Sequence, residues 1–290
     1  MFTQQVLSGL ASGFIYALLA LGFAAVYKSM RLINFAQGEL FMSGAFVGLL
    51  LARNLKLSFV PVLLLTGLLL FLFGILFERF ILAPASSRSP EVHGMIRTVG
   101  LSVVLQGVAL LVWGTDEYRF PQLLSSGSFS VHSISIPLNL LFIGGTSLAL
   151  LAALVVFLKY THVGLCMRAA SQNRLGAQVV GINVNFVRSL AFGLSASLAG
   201  IAGVLIAPLW YVQYSMGTMM GMKGFTAAVL GSLGSFPGAV IGGLVLGVVE
   251  NLTAGYVSSV WKDAGVFAIL IGVLALRPQG LFGRRYSERV

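Results

Sequence analysis

The chain has 290 residues, of which 58% are hydrophobic and 9% charged, where a water-soluble domain carries about 25% charged residues. A mean hydropathy of +0.96 excludes an ordinary soluble fold. The net charge of +10 sits at the ends of apolar runs and near the C-terminus rather than on one face, so it points to cytoplasmic loops and anionic lipid headgroups and away from nucleic acid.

The first charged residue is Lys28. With no basic leading region, a cleaved signal peptide is not expected, and the opening apolar stretch reads as a permanent span at 6–27. A polar run, Asn34-Phe-Ala-Gln37-Gly38-Glu39, precedes the second span at 37–52. Asn34 is expected to cap that helix start, with Gln37 reaching back to its backbone. Glu39 then sits either as a favourable charge beside a helix N-terminus or as a group on a transport path. Further spans follow at 58–82, 95–114 and 137–158. Glu78 adjoins Arg79 near an inner end and is expected at the interface.

Between Glu117 and Glu250 there is no acidic residue, yet Lys159, Arg168, Arg174 and Arg188 crowd the segment 159–188. Basic residues interrupting apolar runs mark loops kept on the cytoplasmic side. Five spans precede this loop, which places the N-terminus outside. Lys28, Arg31, Arg88 and Arg97 then fall inside, and Asp116 and Glu117 outside; Arg53 and Lys56 run against the pattern. Within the loop, the stretch from Gly164 to Ile182 reads as one short amphipathic helix. Ala169, Ala170, Asn173, Ala177 and Val180 share a face, with Gly164 and Gly181 at its ends. Cys166, the sole cysteine, lies in it as a reduced thiol and excludes an internal disulfide.

A sixth span is expected at 189–209. Arg277, Arg284, Arg285 and Arg289 require a cytoplasmic tail, so an odd number of crossings must follow Trp210. Only two segments are visible, 224–250 and 264–276. The first is interrupted by Gly231, Gly234, Pro237 and Gly238 and reads as two half-helices or a re-entrant hairpin. Trp113, Trp210 and Trp261 fall at outer ends, as an interfacial aromatic belt would have them. Glu250 closes a glycine-rich run and is read as a neighbour of a loop.

Glycine supplies 35 residues, many at helical spacing: Gly9 and Gly13, Gly217 and Gly221, Gly238 and Gly242, Gly243 and Gly247. Such faces let helices approach closely in lipid, within this chain or against a second subunit. His93, His132 and His162 have no metal-ligand spacing. Neither a catalytic triad nor a carboxylate pair is present, so no enzyme activity, metal or other cofactor is expected. A Gly-x-x-x-x-Gly-Lys-Ser/Thr phosphate loop is also missing, so ATP hydrolysis would reside on a partner.

Four stretches carry a family resemblance: Gly13-Phe-Ile-Tyr16-Ala-Leu with Asn34 to Glu39; Ser195-Ala-Ser-Leu-Ala199-Gly200-Ile-Ala-Gly203; Lys223 to Gly238; and Leu276-Arg-Pro278-Gln-Gly280-Leu-Phe-Gly283. In this order they resemble branched-chain amino acid ABC importer permeases, and among these the shorter of the family's two permease subunits. The resemblance implies an all-α polytopic membrane protein, a Gly-rich bundle of about eight hydrophobic helical elements, some broken or re-entrant. Residues 1–290 would form a single permease domain, with 159–188 as the loop that couples to the ATPases. Implied partners are a second permease subunit, two cytoplasmic ATPase subunits, an external substrate-binding protein and the plasma membrane of a prokaryote. Gly164, Arg168, Ala169, Asn173, Ala177 and Gly181 would form the ATPase-coupling element. Asn34, Gln37, Gly38, Glu39, Gly231, Gly234, Pro237 and Gly238 are candidates for the pathway or a helix break. The loop lacks the Glu-Ala-Ala signature of other importers, since Met167 and Arg168 precede Ala169. A permease for urea or short amides, or an ion-coupled secondary transporter or channel, are the alternative readings.

Overall fold

The computed structural model describes residues 2–84, 90–121, 127–131, 134–277 and 279–283. Arg88, His132, Pro278, Arg284, Arg285 and Arg289 lie outside the described residues.

Helix α1 (Phe2–Met30) is the axis of the molecule, and every residue from Ile15 to Val26 is buried. Around it stand α2 (Gln37–Asn54), α3 (Phe59–Phe77, closing in a π-helical turn at Glu78–Leu82), α4 (Pro90–Trp113) and α5 (Leu138–Tyr160). The second half contributes two short helices, α6 (His162–Gln172) and α7 (Arg174–Val179), and then α8 (Val184–Ile206), α9 (Met216–Gly231), α10 (Phe236–Tyr256) and α11 (Lys262–Leu276). Among the described residues, six helical segments are long and apolar enough to cross a membrane. The protein is an all-α polytopic membrane bundle. A two-stranded hairpin, β1 (Ser128–Val131) with β2 (Ile134–Pro137), decorates the α4–α5 connection.

Leu64 and Leu68 on α3, Val103 and Leu111 on α4 and Val155 on α5 are exposed. Lipid tails are as apolar as leucine, so nothing drives these faces inward, and the bundle is held instead by close backbone packing. Glycine supplies it. Gly9 faces the Val248 backbone and Gly13 that of Leu244, so α1 and α10 run antiparallel along a seam in which Gly243 abuts Ala17 and Gly247 abuts Gly13. Gly44 of α2 meets Gly200 of α8, and Gly74 of α3 meets Gly193. Gly217 and Gly221 abut Gly38, while Gly238 and Gly242 abut Gly231 and Ala227. All four spaced glycine pairs thus pack within this polypeptide.

The two ends of the bundle differ chemically. At one end Lys28 lies over the Phe236 ring, 4.5 Å from its centroid. The Arg168 guanidinium donates to the Leu158 carbonyl there, and Leu281 N–H donates to Leu230 O at 2.8 Å. At the other end Phe46 stacks on Trp113, and Tyr118 exchanges backbone hydrogen bonds with Val212.

The reading of 224–250 as two half-helices or a re-entrant hairpin meets two helices here, and its boundaries need correction. The break at Gly231–Gly238 is the turn between two separate helices, and α9 begins eight residues before the charge-free interval, at Met216. Lys223, taken as the boundary of that interval, lies inside α9. Three helices, α9, α10 and α11, therefore follow Trp210, of which α10 is long and apolar enough to cross a membrane.

Candidate functional site

Three groups of polar residues stand out against this apolar bundle. The first lies where α1 gives way to α2. Ser195, equidistant from the two ends of α8, donates its hydroxyl to Gln37 Oε1 at 2.7 Å, and Gln37 Nε2 donates to the Ser195 carbonyl at 3.2 Å. An α-helix of this length spans about 34 Å, so α2 begins level with the middle of a candidate span, and the backbone leading to it from Arg31 is non-helical. Such backbone is stable only where polar partners satisfy it. Asn34 Oδ1 accepts from Ala36 N–H at 3.1 Å, and Thr98 Oγ1 accepts from Phe35 N–H at 3.1 Å. The turn is closed by Asn34 Nδ2 donating to Gln37 Oε1 at 3.1 Å.

The expected cap is therefore replaced by a different arrangement. Ala36 is the N-cap residue and no side chain caps α2. Asn34 ties the turn, and Gln37 reaches across to α8 instead of back to its own backbone. Gly22 lets this happen, because a Cβ there would collide with the Gln37 amide. Gly38 abuts Gly217 of α9. Glu39, in the first turn of α2 and only 4% exposed, accepts from Thr218 Oγ1 at 3.3 Å and from the Ser102 hydroxyl.

The second group is ionic. Lys223 Nζ lies 2.7 Å from Glu250 Oε1 and 2.7 Å from Asp263 Oδ1, and Tyr16 O–H donates to Glu250 Oε2 at 2.6 Å. Lys223 is 3% exposed and Glu250 6%. One ammonium, two carboxylates and a phenol thus tie α9, α10, α11 and α1 together. Glu250 is buried within α10, not beside a loop. Sequence reading missed the cluster because its members are 13 or more residues apart along the chain and lie on four helices. Glu78, at the end of α3, is 1% exposed and paired with Arg188 at 3.3 Å, with the Ser189 hydroxyl donating to it.

The third group is the basic segment. It forms two helices, not one, because Asn173 is extended and its Oδ1 accepts from Gly176 N–H at 2.9 Å, capping α7. Thr161, not Gly164, starts α6: its hydroxyl accepts from Gly164 N–H at 3.0 Å, while Gly164 packs on Leu158. Gly181 follows α7 with φ +84°, the left-handed geometry of a helix-ending glycine. Ala170 and Ala177 are buried against the bundle, and Ala169 is half-buried. The exposed face carries Leu175 and Val179, which the three-to-four spacing did not single out, and Val180, which it had placed on one face with the buried Ala170 and Ala177. Among the described residues no cluster of three His, Cys, Asp or Glu could hold a metal ion.

Gly231 and Gly238 pack backbone to backbone at the α9–α10 turn, where Ser235 Oγ accepts from Gly238 N–H at 3.1 Å and caps α10. Pro237 occupies the first turn of α10, where its missing N–H leaves no bond unmade. Gly234 meets no neighbour.

A polytopic bundle with a helix that begins at mid-depth, and with ionisable groups held in its interior, has the construction of a membrane permease. The chain belongs to the family described as branched-chain amino acid transport system / permease component, whose profile matches residues 5–274. It is 35% identical to the high-affinity branched-chain amino acid transport system permease protein LivH of Salmonella typhimurium, over 100% of this chain and 98% of that one. The corresponding protein BraD of Pseudomonas aeruginosa is 33% identical over the same shares. In fold, the chain is similar to PsaBC from Streptococcus pneumoniae in complex with Fab, with a TM-score of 0.50 and 15% identity, covering 94% of this chain and 91% of that chain.

Proposed function

We propose that this protein is the permease subunit of an ATP-driven importer that moves branched-chain amino acids into the cytoplasm. The observation that carries the coupling is the α6–α7 corner. It is acid-free, stands at the basic end of the bundle and presents Leu175, Val179 and Val180 to solvent. Exposed apolar side chains on a short cytoplasmic helix fit a cleft in a protein partner, here one of two ATPase subunits. Family membership and the names of the relatives support the substrate class. A second permease subunit, an external binding protein and a plasma-membrane location with a cytoplasmic C-terminus complete the reading.

Motion of the ATPases would reach the pathway through rigid elements. Arg168 bonds the last turn of α5, and α6 and α7 lead directly into α8. A displaced corner therefore moves α5 and α8 together, a rigid-body mechanism of alternating access.

The buried Lys223 and Glu250, with the half-buried Asp263, favour a second reading, an ion-coupled carrier, because such groups at depth are the usual ion-binding elements of that class. Vesicles reconstituted with all subunits separate the two. Leucine uptake that stops when the Walker lysine of the ATPase is substituted, and that persists when the proton gradient is collapsed at constant ATP, supports the importer. Uptake that follows the gradient supports the carrier.

A further inference from the structure

Three glutamates are buried among the described residues: Glu39, Glu78 and Glu250. Glu78 is paired with Arg188 and Glu250 with Lys223. Glu39 differs. The groups that face it are the hydroxyls of Ser102 and Thr218 and the backbone of its own helix. Hydroxyls and a helix N-terminus stabilise a carboxylate only in part, the N-terminus contributing about half a unit charge. A carboxylate held at membrane depth is stable when a cation completes it.

Glu39 itself is covered, but residues beside it reach the surface. Its partner Thr218 is exposed on α9, and Met222, one turn further along the same face, is exposed as well, as are Met219 and Phe35. A polar hydroxyl beside the carboxylate is therefore continuous with a flexible apolar surface. Thioether side chains adapt to branched aliphatic groups of different shape. The non-helical turn at 31–36 fixes the whole arrangement, since it sets the depth at which α2 begins.

We propose that Glu39 receives the α-ammonium group of the transported amino acid, with the Thr218 hydroxyl beside it and Met219, Met222 and Phe35 taking the aliphatic side chain. This rests on the functional reading above and adds a substrate contact to it. The carboxylate supplies the orientation: it binds the cationic end of a zwitterion at mid-depth, while the methionine face accepts leucine, isoleucine or valine without distinguishing them sharply.

The test uses the complete importer in vesicles, with labelled leucine as the probe. Wild-type uptake is measured first, and its absence overturns the functional reading together with the subsite. With the wild type active, Glu39→Gln is expected to lower uptake by about ten- to a hundred-fold, the loss of one charge-assisted hydrogen bond. Subunit co-purification and ATP hydrolysis stimulated by the binding protein should stay near wild type, so that fewer leucines cross per ATP. Glu39→Asp should recover part of the uptake. Unchanged leucine uptake in Glu39→Gln overturns the proposal. Loss of co-purification with the second permease also overturns it, because the missing cation then belongs to that subunit.

Discussion

Lys223 of α9 and Glu250 of α10 meet inside the bundle with 2.7 Å between Nζ and Oε1. Asp263 of α11 completes the pair from the other side at the same distance and is 31% exposed. The lysine sits between two carboxylates, so removing it leaves two negative charges facing each other in a low-dielectric interior.

That asymmetry gives the first prediction. Lys223→Met should destabilise the protein by roughly 3–5 kcal/mol, the range for breaking a buried pair by deleting one partner. Adding Glu250→Gln and Asp263→Asn should recover much of the loss. Thermal unfolding in detergent, followed as the fraction of monodisperse protein after heating, measures both. A single variant as stable as wild type would show that the ions are not coupled.

The α1–α10 seam gives the second. Gly243→Leu should abolish accumulation of folded protein, because a Cβ at Gly243 already meets Ala17 backbone. Gly107→Leu, on α4 with nothing within 4 Å, should be tolerated. Membrane yields of the two variants, compared side by side, decide it.

The third concerns the exposed corner. Leu175→Asp combined with Val179→Asp should release the ATPase subunits on co-purification, while the permease itself inserts and unfolds as before. The surface is already solvated, so the folded chain gives up little. Arg168→Glu should act differently, by removing the donor to the Leu158 carbonyl and loosening α6 from α5. Its effect should appear as a lower unfolding temperature as well as weaker assembly.

Cys166 reports orientation. It is half-buried on α6, and with this corner in the cytoplasm a membrane-permeant maleimide should label it in intact cells while a charged, impermeant one should not. Labelling by the impermeant reagent would place the corner outside.

Much of the architecture was legible from composition and charge alone. Apolar runs of about 20 residues dictate candidate spans. The break at Gly231 to Gly238 was also legible, since glycine and proline interrupt a helix through local backbone chemistry. The start of α9 was not. A charge normally ends an apolar helix, and the carboxylates contributed by α10 and α11 let Lys223 lie within one. The α2 start shows the same limit: Asn34 and Gln37 were recognisable as turn formers, but the Gln37 partner is Ser195, 158 residues away.

Family membership and the helical class were thus contained in the residues taken one stretch at a time, because hydrophobic length, charge bias and helix breaking are local properties. Pairing required three dimensions. Which carboxylate has a cation, which glycine touches which backbone and which face of α7 remains open depend on helices distant in the chain. In a bilayer those contacts arise from shape and polar satisfaction rather than from a hydrophobic drive that a pattern of residues could reveal.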